Sequence, residues 1–205
     1  MNAFVNWCKE NYLEVNVSKT KEMIFDFRKT KSHLEPLTIN NERVEGTEVY
    51  KYLGMHIDNQ FSWQAHVDTL VKKLNQRLYF IRKLNSFKVN VEIIKTFYLS
   101  SVQSLILFGI TCWGGNIRKV DKIRINRAIR KAEKIIKLKL KSVDELYEDT
   151  VLKKAEAILK DSAHPLNDQF TLSARSNKVL AVSSNTERFK KSFIPSASRI
   201  LRGVK

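Results

Sequence analysis

The 205-residue chain has little of several residue types, and each shortage closes a chemical route. Two cysteines, Cys8 and Cys112, supply neither a disulfide framework nor a zinc-ligand pattern. That usage fits a reducing, intracellular setting, in nucleus or cytoplasm. The six glycines are scattered and form no phosphate-cradling Gly-x-x-x-x-Gly-Lys loop, no Gly-x-Ser-x-Gly elbow and no glycine-rich turn for S-adenosylmethionine. No two aspartates are adjacent, whereas two-metal polymerase chemistry needs convergent carboxylates holding cations about 4 Å apart. The longest apolar run, Leu105 to Trp113, is nine residues against the roughly 20 of a membrane span. No secretory signal is legible at the N-terminus, so the expectation is a soluble chain without a membrane partner.

What the chain has in surplus is positive charge, +16 in all, unevenly placed. Residues 1–60 hold 8 Lys/Arg against 9 Asp/Glu, residues 61–140 hold 17 against 4, and residues 141–205 hold 12 against 8. A surplus confined to the middle third points to a binding face for a polyanion rather than a general solubility device.

Periodicity gives an α+β expectation: a small helix-plus-antiparallel-strand unit over 1–58, a basic helical bundle over 61–165 and an extended, poorly ordered tail over 166–205. Phe4, Trp7, Cys8 and Tyr12 recur at helical spacing. Ser18-Lys19-Thr20 forms a polar corner, and alternation over Met23 to Phe27 predicts a strand. Asn40-Asn41 marks a hairpin turn, and Gly54 marks a bulge or close approach within the alternation from Val49 to Ile57.

From Ser62 the period becomes helical. Trp63, Val67, Leu70, Leu74, Leu78 and Ile81 form one stripe. Asn90 caps a second helix with the stripe Ile94, Phe97, Tyr98, Ser101, Val102, Leu105 and Phe108, ended by Gly114-Gly115. A third helix, from about Val120 to Leu140, turns Val120, Ile123, Ala128, Ala132 and Ile135 inward. Its residues Arg127, Arg130, Lys131, Lys134, Lys137 and Lys141 share the other face, where they repel one another unless an anion lies across them. Ser142-Val143-Asp144-Glu145 is a capping box starting a helix that runs to about His164-Pro165.

Metal chemistry finds little to work with. His66-x-Asp68 with His164 is formally an iron-binding set, but helix residues two apart point about 200° apart and cannot grip one ion. The pair reads instead as a solvated helix face. His33 and His56 read as surface or edge-strand residues, and Trp7, Trp63 and Trp113 as core.

An ordered series of short strings carries a family resemblance: Leu13 to Lys21, Phe25-Asp26-Phe27-Arg28, Pro36-Leu37-Thr38-Ile39, Lys51-Tyr52-Leu53-Gly54, Trp63-Gln64-Ala65-His66, Gln76-Arg77-Leu78, Trp113-Gly114-Gly115-Asn116, His164-Pro165-Leu166 and Ser192-Phe193-Ile194-Pro195. The series resembles the C-terminal part of the reverse transcriptase of non-LTR, LINE-type retrotransposons. Ser173-Ala174-Arg175 departs from it by lacking a glycine between serine and arginine.

The resemblance implies that residues 1–58 correspond to the end of the palm and the helices of 61–140 to the thumb. Lys19 would match the lysine on the pyrophosphate side, and Tyr52, Leu53 and Gly54 the primer-gripping hairpin. Lys72, Lys73 and Arg77, with Arg127, Arg130, Lys131, Lys134 and Lys137, would contact RNA or DNA, as a template–primer duplex. The family's metal-binding aspartates, and with them Mg2+, belong to an upstream polymerase half. On this expectation the chain binds nucleic acid, holds no cofactor and is no enzyme on its own.

The stretch from Lys19-Thr20-Lys21 to Asp26-Phe27-Arg28 also resembles the domain named for the N-terminus of AlkB-homologue tRNA-modifying enzymes, which would imply dioxygenase or methyltransferase chemistry. A third reading is a basic structural interaction module.

Overall fold

The computed structural model describes residues 2–30, 35–173 and 179–203. His33, Ala174 and Arg175 lie outside them. The fold is α+β, and the chain divides into two compact units, Met1–Ala65 and His66–Lys205.

In the first unit α1 (Asn2–Glu10) buries Val5 and Cys8. Phe4, Trp7 and Tyr12 are exposed instead, with Phe4 stacked on Trp7 at 6.4 Å, so Trp7 is not a core residue. Val5, Ile39 and Val44 form a small core, covered by Val15, Val17 and Leu37. The corner at Val17–Lys19 is one 3-10 turn. Asn16 caps it by accepting from the Lys19 N–H (3.1 Å) and the Ser18 hydroxyl (2.8 Å).

Among the described residues, six short strands pair two by two. Strand β1 (Lys21–Glu22) runs parallel to β4 (Glu45–Gly46), where antiparallel pairing alone was expected. The strand over Met23 to Phe27 does not form: ladder pairing stops at Glu22. The side-chain alternation survives it, because Phe25 and Phe27 both turn to the Phe61 ring, at 4.6 and 6.3 Å.

Strands β2 (Thr38–Ile39) and β3 (Glu42–Arg43) form the hairpin expected at Asn40-Asn41, both asparagines having positive φ. Strands β5 (Val49–Tyr52) and β6 (Met55–Asp58) make the other hairpin. Gly54 is its turn rather than a bulge: Leu53 and Gly54, at φ 45° and 87°, are the two left-handed residues of a tight connection. After β6 the buried Asp58 carboxylate gathers the chain. It accepts from the N–H groups of Gln60, Ser62 and Trp63 and from the Ser62 hydroxyl, all at 2.9–3.1 Å.

Helix α2 (Gln64–Ser86) leads into the second unit. Val67, Leu70, Leu74, Leu78 and Ile81 are all buried, as is Trp63 just before the helix, so this stripe lies as its spacing requires. Asn90 caps α3 (Val91–Phe97), accepting from the Glu92 N–H at 2.8 Å.

The helix then widens through a π segment, Tyr98–Gln103, before α4 (Ser104–Leu107). There the Ser104 N–H donates to the Leu99 carbonyl, five residues back. In an α-helix each four-residue step drifts by about 40°. The wider π turn takes up that drift, so Ile94, Tyr98, Val102 and Ile106 stay in one buried line. Leu105 and Phe108, expected in the stripe, are displaced from it, and Phe108 is exposed. Gly109, left-handed at φ 61°, breaks the helix before α5 (Ile110–Trp113), earlier than Gly114-Gly115. Those two glycines serve a close approach: Cβ atoms there would lie 2.7 Å from the Tyr147 ring and 2.6 Å from its hydroxyl.

Helix α6 (Lys119–Ile136) ends at Lys137, which takes a left-handed cap at φ 57°. Its buried side is Asp121, Ile125, Ala128, Ile129, Ala132 and Ile136. Val120 and Ile123, expected inside, are exposed, and Ile135 is only half-buried. The cause is the Asp121 carboxylate, fully buried and held by Arg118 Nε (2.7 Å) and Arg124 (3.0 Å). Arg124 also grips Asp68 of α2 at 2.6 Å. Burial alone would raise the Asp121 carboxyl, but hydrogen bonds and charge from both arginines outweigh it and hold the group below its ordinary range.

The capping box forms as expected and starts α7 (Val143–Lys160). The chain after Pro165 is partly built into the core. Phe170, Val179 and Ala197 pack with Val151, Ala155 and Ile158 of α7. After the short α8 (Glu187–Lys190), α9 (Phe193–Leu201) lies against α7. No helix among the described residues is long and apolar enough to cross a membrane.

Two outcomes test this packing. Asp121→Asn should cost about 2 kcal/mol in urea unfolding near pH 7, since it strips two arginines of a buried charged acceptor. The folded carboxyl is depressed, so the difference from the parent should be full above about pH 5 and shrink as pH falls through the folded value. Gly115→Ala should cost about 1–3 kcal/mol by overpacking against the Lys191 carbonyl and the Tyr147 hydroxyl, read as a fall in Tm.

Candidate nucleic-acid interface

The second unit sorts its cations into two populations. One is spent within the protein. Arg118 and Arg124 hold Asp121, Arg124 also holds Asp68, Lys122 pairs with Asp144, and Lys141 pairs with Asp149. Neighbouring carboxylates hold Arg118, Arg124 and Lys141 above their usual pKa, hydrogen bonding being the largest cause in each. Lys141, placed by spacing on the basic face, is thus already committed.

The other population has no such partner. Arg127, Arg130, Lys131, Lys134 and Lys137 are all exposed, and none forms an ion pair with any described residue. Arg130 reaches only the Asn126 carbonyl, at 3.4 Å. The first four recur at three- and four-residue steps on the side of α6 opposite Asp121, Ile125 and Ala132, and Lys137 follows at the cap. The nearest acid in sequence, Glu133, accepts from the Leu140 N–H at 3.1 Å and so closes the turn after the helix. Each like-charge pair at this spacing costs an isolated helix about 0.2–0.5 kcal/mol. The face therefore stores repulsion that a bound polyanion would relieve.

Lys72, Lys73 and Arg77 are likewise exposed on α2 and without an ion pair among the described residues. Beside them the structure shows what spacing did not single out: Tyr79, Phe80 and Lys83 on the outer side of the same helix. The Lys83 ammonium lies 5.9 Å from the centre of the Tyr79 ring. Exposed aromatics at three- and four-residue steps from lysines, off the apolar stripe, were the available signal.

In the first unit, Lys19 and Tyr52 line one groove of about 330 Å³ with Lys21, Phe25 and Tyr50. Leu53 and Gly54 form the hairpin tip rather than the groove wall. Leucine at φ 45° costs about 1 kcal/mol, so the tip is held by its hairpin rather than by preference.

The residues considered for iron do not converge. His66 is buried, not on a solvated face, and its ring packs on Trp113 at 5.3 Å. Asp68 is taken by Arg124, and His164 Nδ1 accepts from the Leu166 N–H at 3.0 Å. Among the described residues no three His, Cys, Asp or Glu side chains are grouped to hold a metal. Buried Tyr98 has a hydroxyl without a partner among the described residues, and burial, with Glu133 nearby, pushes it up to about 12.

Comparison with known proteins adds two matches. The family model described as alkylated DNA repair protein alkB homolog 8, N-terminal, matches residues 63–104, the stretch of α2 and α3. The resemblance expected around Lys19 to Arg28 therefore lies elsewhere in the chain. No solved structure gives a significant match. A probable RNA-directed DNA polymerase from transposon BS of Drosophila melanogaster is 25% identical over 136 residues, 63% of this chain. The chain spans 15% of that relative's length. The chain thus shares a distant similarity with a probable RNA-directed DNA polymerase from a transposon.

Proposed function

We propose that this chain is a nucleic-acid-binding segment of the reverse-transcriptase kind, which holds a template–primer duplex by its phosphates and contributes no metal-centred polymerase chemistry of its own. The observation that carries the reading is the division of cations on and beside α6: Arg118, Lys122 and Arg124 are consumed by Asp121, Asp144 and Asp68, while Arg127, Arg130, Lys131 and Lys134 are left to solvent. Charge of one sign, exposed along two turns of a rigid helix, suits a phosphate backbone and carries no base-specific information. The similarity to a transposon polymerase supports the same partner. Sequence supports the second half of the proposal, since no adjacent aspartates occur in the chain.

The dioxygenase reading finds less support. The match behind it falls on α2 and α3, where His66 is a core residue and Asp68 an ion-pair partner.

Binding to a labelled RNA–DNA hybrid should weaken steeply between about 50 and 200 mM salt as counterions are released. Changing Arg127, Arg130, Lys131 and Lys134 together to Gln should reduce the slope of log K against log salt by about 2–4. Relief of like-charge pairs should leave Tm unchanged or higher. An unchanged slope would remove α6 from the interface, and equally strong binding to anionic vesicles would favour a membrane-directed module.

A further inference from the structure

The outer side of α2 differs in kind from that of α6. Beside its cations α6 exposes aliphatic side chains, Val120 and Ile123. Helix α2 exposes rings: Tyr79 is 52% accessible and Phe80 48%, while Phe87, just past the helix end, is 75% accessible. Lys73, Phe80 and Phe87 follow at seven-residue intervals, which puts them on one line with about 10 Å of rise per interval. Tyr79 and Phe80 meet edge to face at 5.7 Å, with Lys83 beside the Tyr79 ring.

The surrounding charge narrows what can cover these rings. Between Asp68 and Glu92 the chain has six Lys/Arg and no acid. Asp68 itself is bound to Arg124. A protein docking its apolar surface here would have to desolvate several lysines and arginines and supply every counter-charge itself. A polynucleotide brings flat apolar faces and phosphates together in one ligand. In a duplex those faces are stacked on one another, so exposed rings gain nothing from it beyond phosphate contact. In an unpaired strand they are available.

We propose that the outer face of α2 holds an unpaired stretch of polynucleotide, with Tyr79 and Phe80 stacking on bases while Lys73, Arg77 and Lys83 reach the flanking phosphates. This deepens the nucleic-acid reading and rests on it. It assigns the two helices different tasks: α6 contacts backbone alone, and α2 distinguishes a strand with accessible bases from one without.

Fluorescence anisotropy of the full chain with three probes decides it: an oligothymidylate of about 15 nucleotides, an abasic strand of equal length and charge, and a duplex. The intact chain should bind the oligothymidylate at least ~5-fold more tightly than the abasic strand, the lower end of what one stacked base supplies. Tyr79→Ala with Phe80→Ala should abolish that preference and leave binding to the abasic strand and the duplex unchanged. Both side chains are half-exposed, and retained duplex binding reports a folded variant. Equal affinity of the intact chain for the two single strands, or a preference that survives the double substitution, would overturn the stacking role alone. Absence of salt-dependent binding to all three would overturn the nucleic-acid reading beneath it as well.

Discussion

One buried carboxylate sets the orientation of the helix on which the functional reading depends. Asp121 lies in the first turn of α6 with no solvent access, clamped by Arg118 and Arg124, and Arg124 extends the clamp to Asp68 on α2. An isolated charge so placed would be prohibitive, and two guanidinium groups make it tolerable. The clamp fixes which way α6 is rotated. With Asp121 turned inward, Ile125, Ala128, Ala132 and Ile136 follow it into the core, and Arg127, Arg130, Lys131 and Lys134 face water. The negative end of the clamp and the positive outer face belong to one arrangement of one helix.

That arrangement separates structural charge from available charge. A net of +16 says only that a polyanion would be attracted. Ion pairing reduces the surplus at specific places: Lys122 and Lys141 are tied to Asp144 and Asp149 of α7, which hold the segment around the start of that helix. Among the described residues, cations without an ion pair line the last turns of α6 and the outer side of α2. Surface charge of this kind adds little to folding stability and is screened by salt. It is therefore better understood as binding surface than as scaffold.

The legible parts of the fold were those governed by a single local rule. The α2 stripe, the Asn90 cap, the Ser142 capping box and the Asn40-Asn41 hairpin each follow from spacing or from one side chain bonding one backbone group, and all are present. Three features escaped because a second interaction competes with the local rule. Hydropathy places Val120 and Ile123 inside α6, but it cannot foresee a buried aspartate; the flanking Arg118-x-x-Asp121-x-x-Arg124 was the signal for it. An ideal α period moves Leu105 and Phe108 into the core, whereas the π segment keeps Ile106 there. The alternation of Met23 to Phe27 satisfies a strand pattern, yet its phenylalanines are held by Phe61 rather than by a neighbouring strand. At the candidate interface the α6 cations were legible from spacing, while the exposure of Tyr79 and Phe80 depends on tertiary packing that spacing alone does not encode.

If the cations left over from internal pairing are the ones that meet a phosphate backbone, lysine-acetylation footprinting of the full chain with and without an RNA–DNA hybrid will separate them from the paired ones. Lys131, Lys134 and Lys137 should be protected by the hybrid, with Lys122 and Lys141 reacting to the same extent in both samples. Uniform protection of all lysines, or protection confined to Lys122 and Lys141, would contradict it.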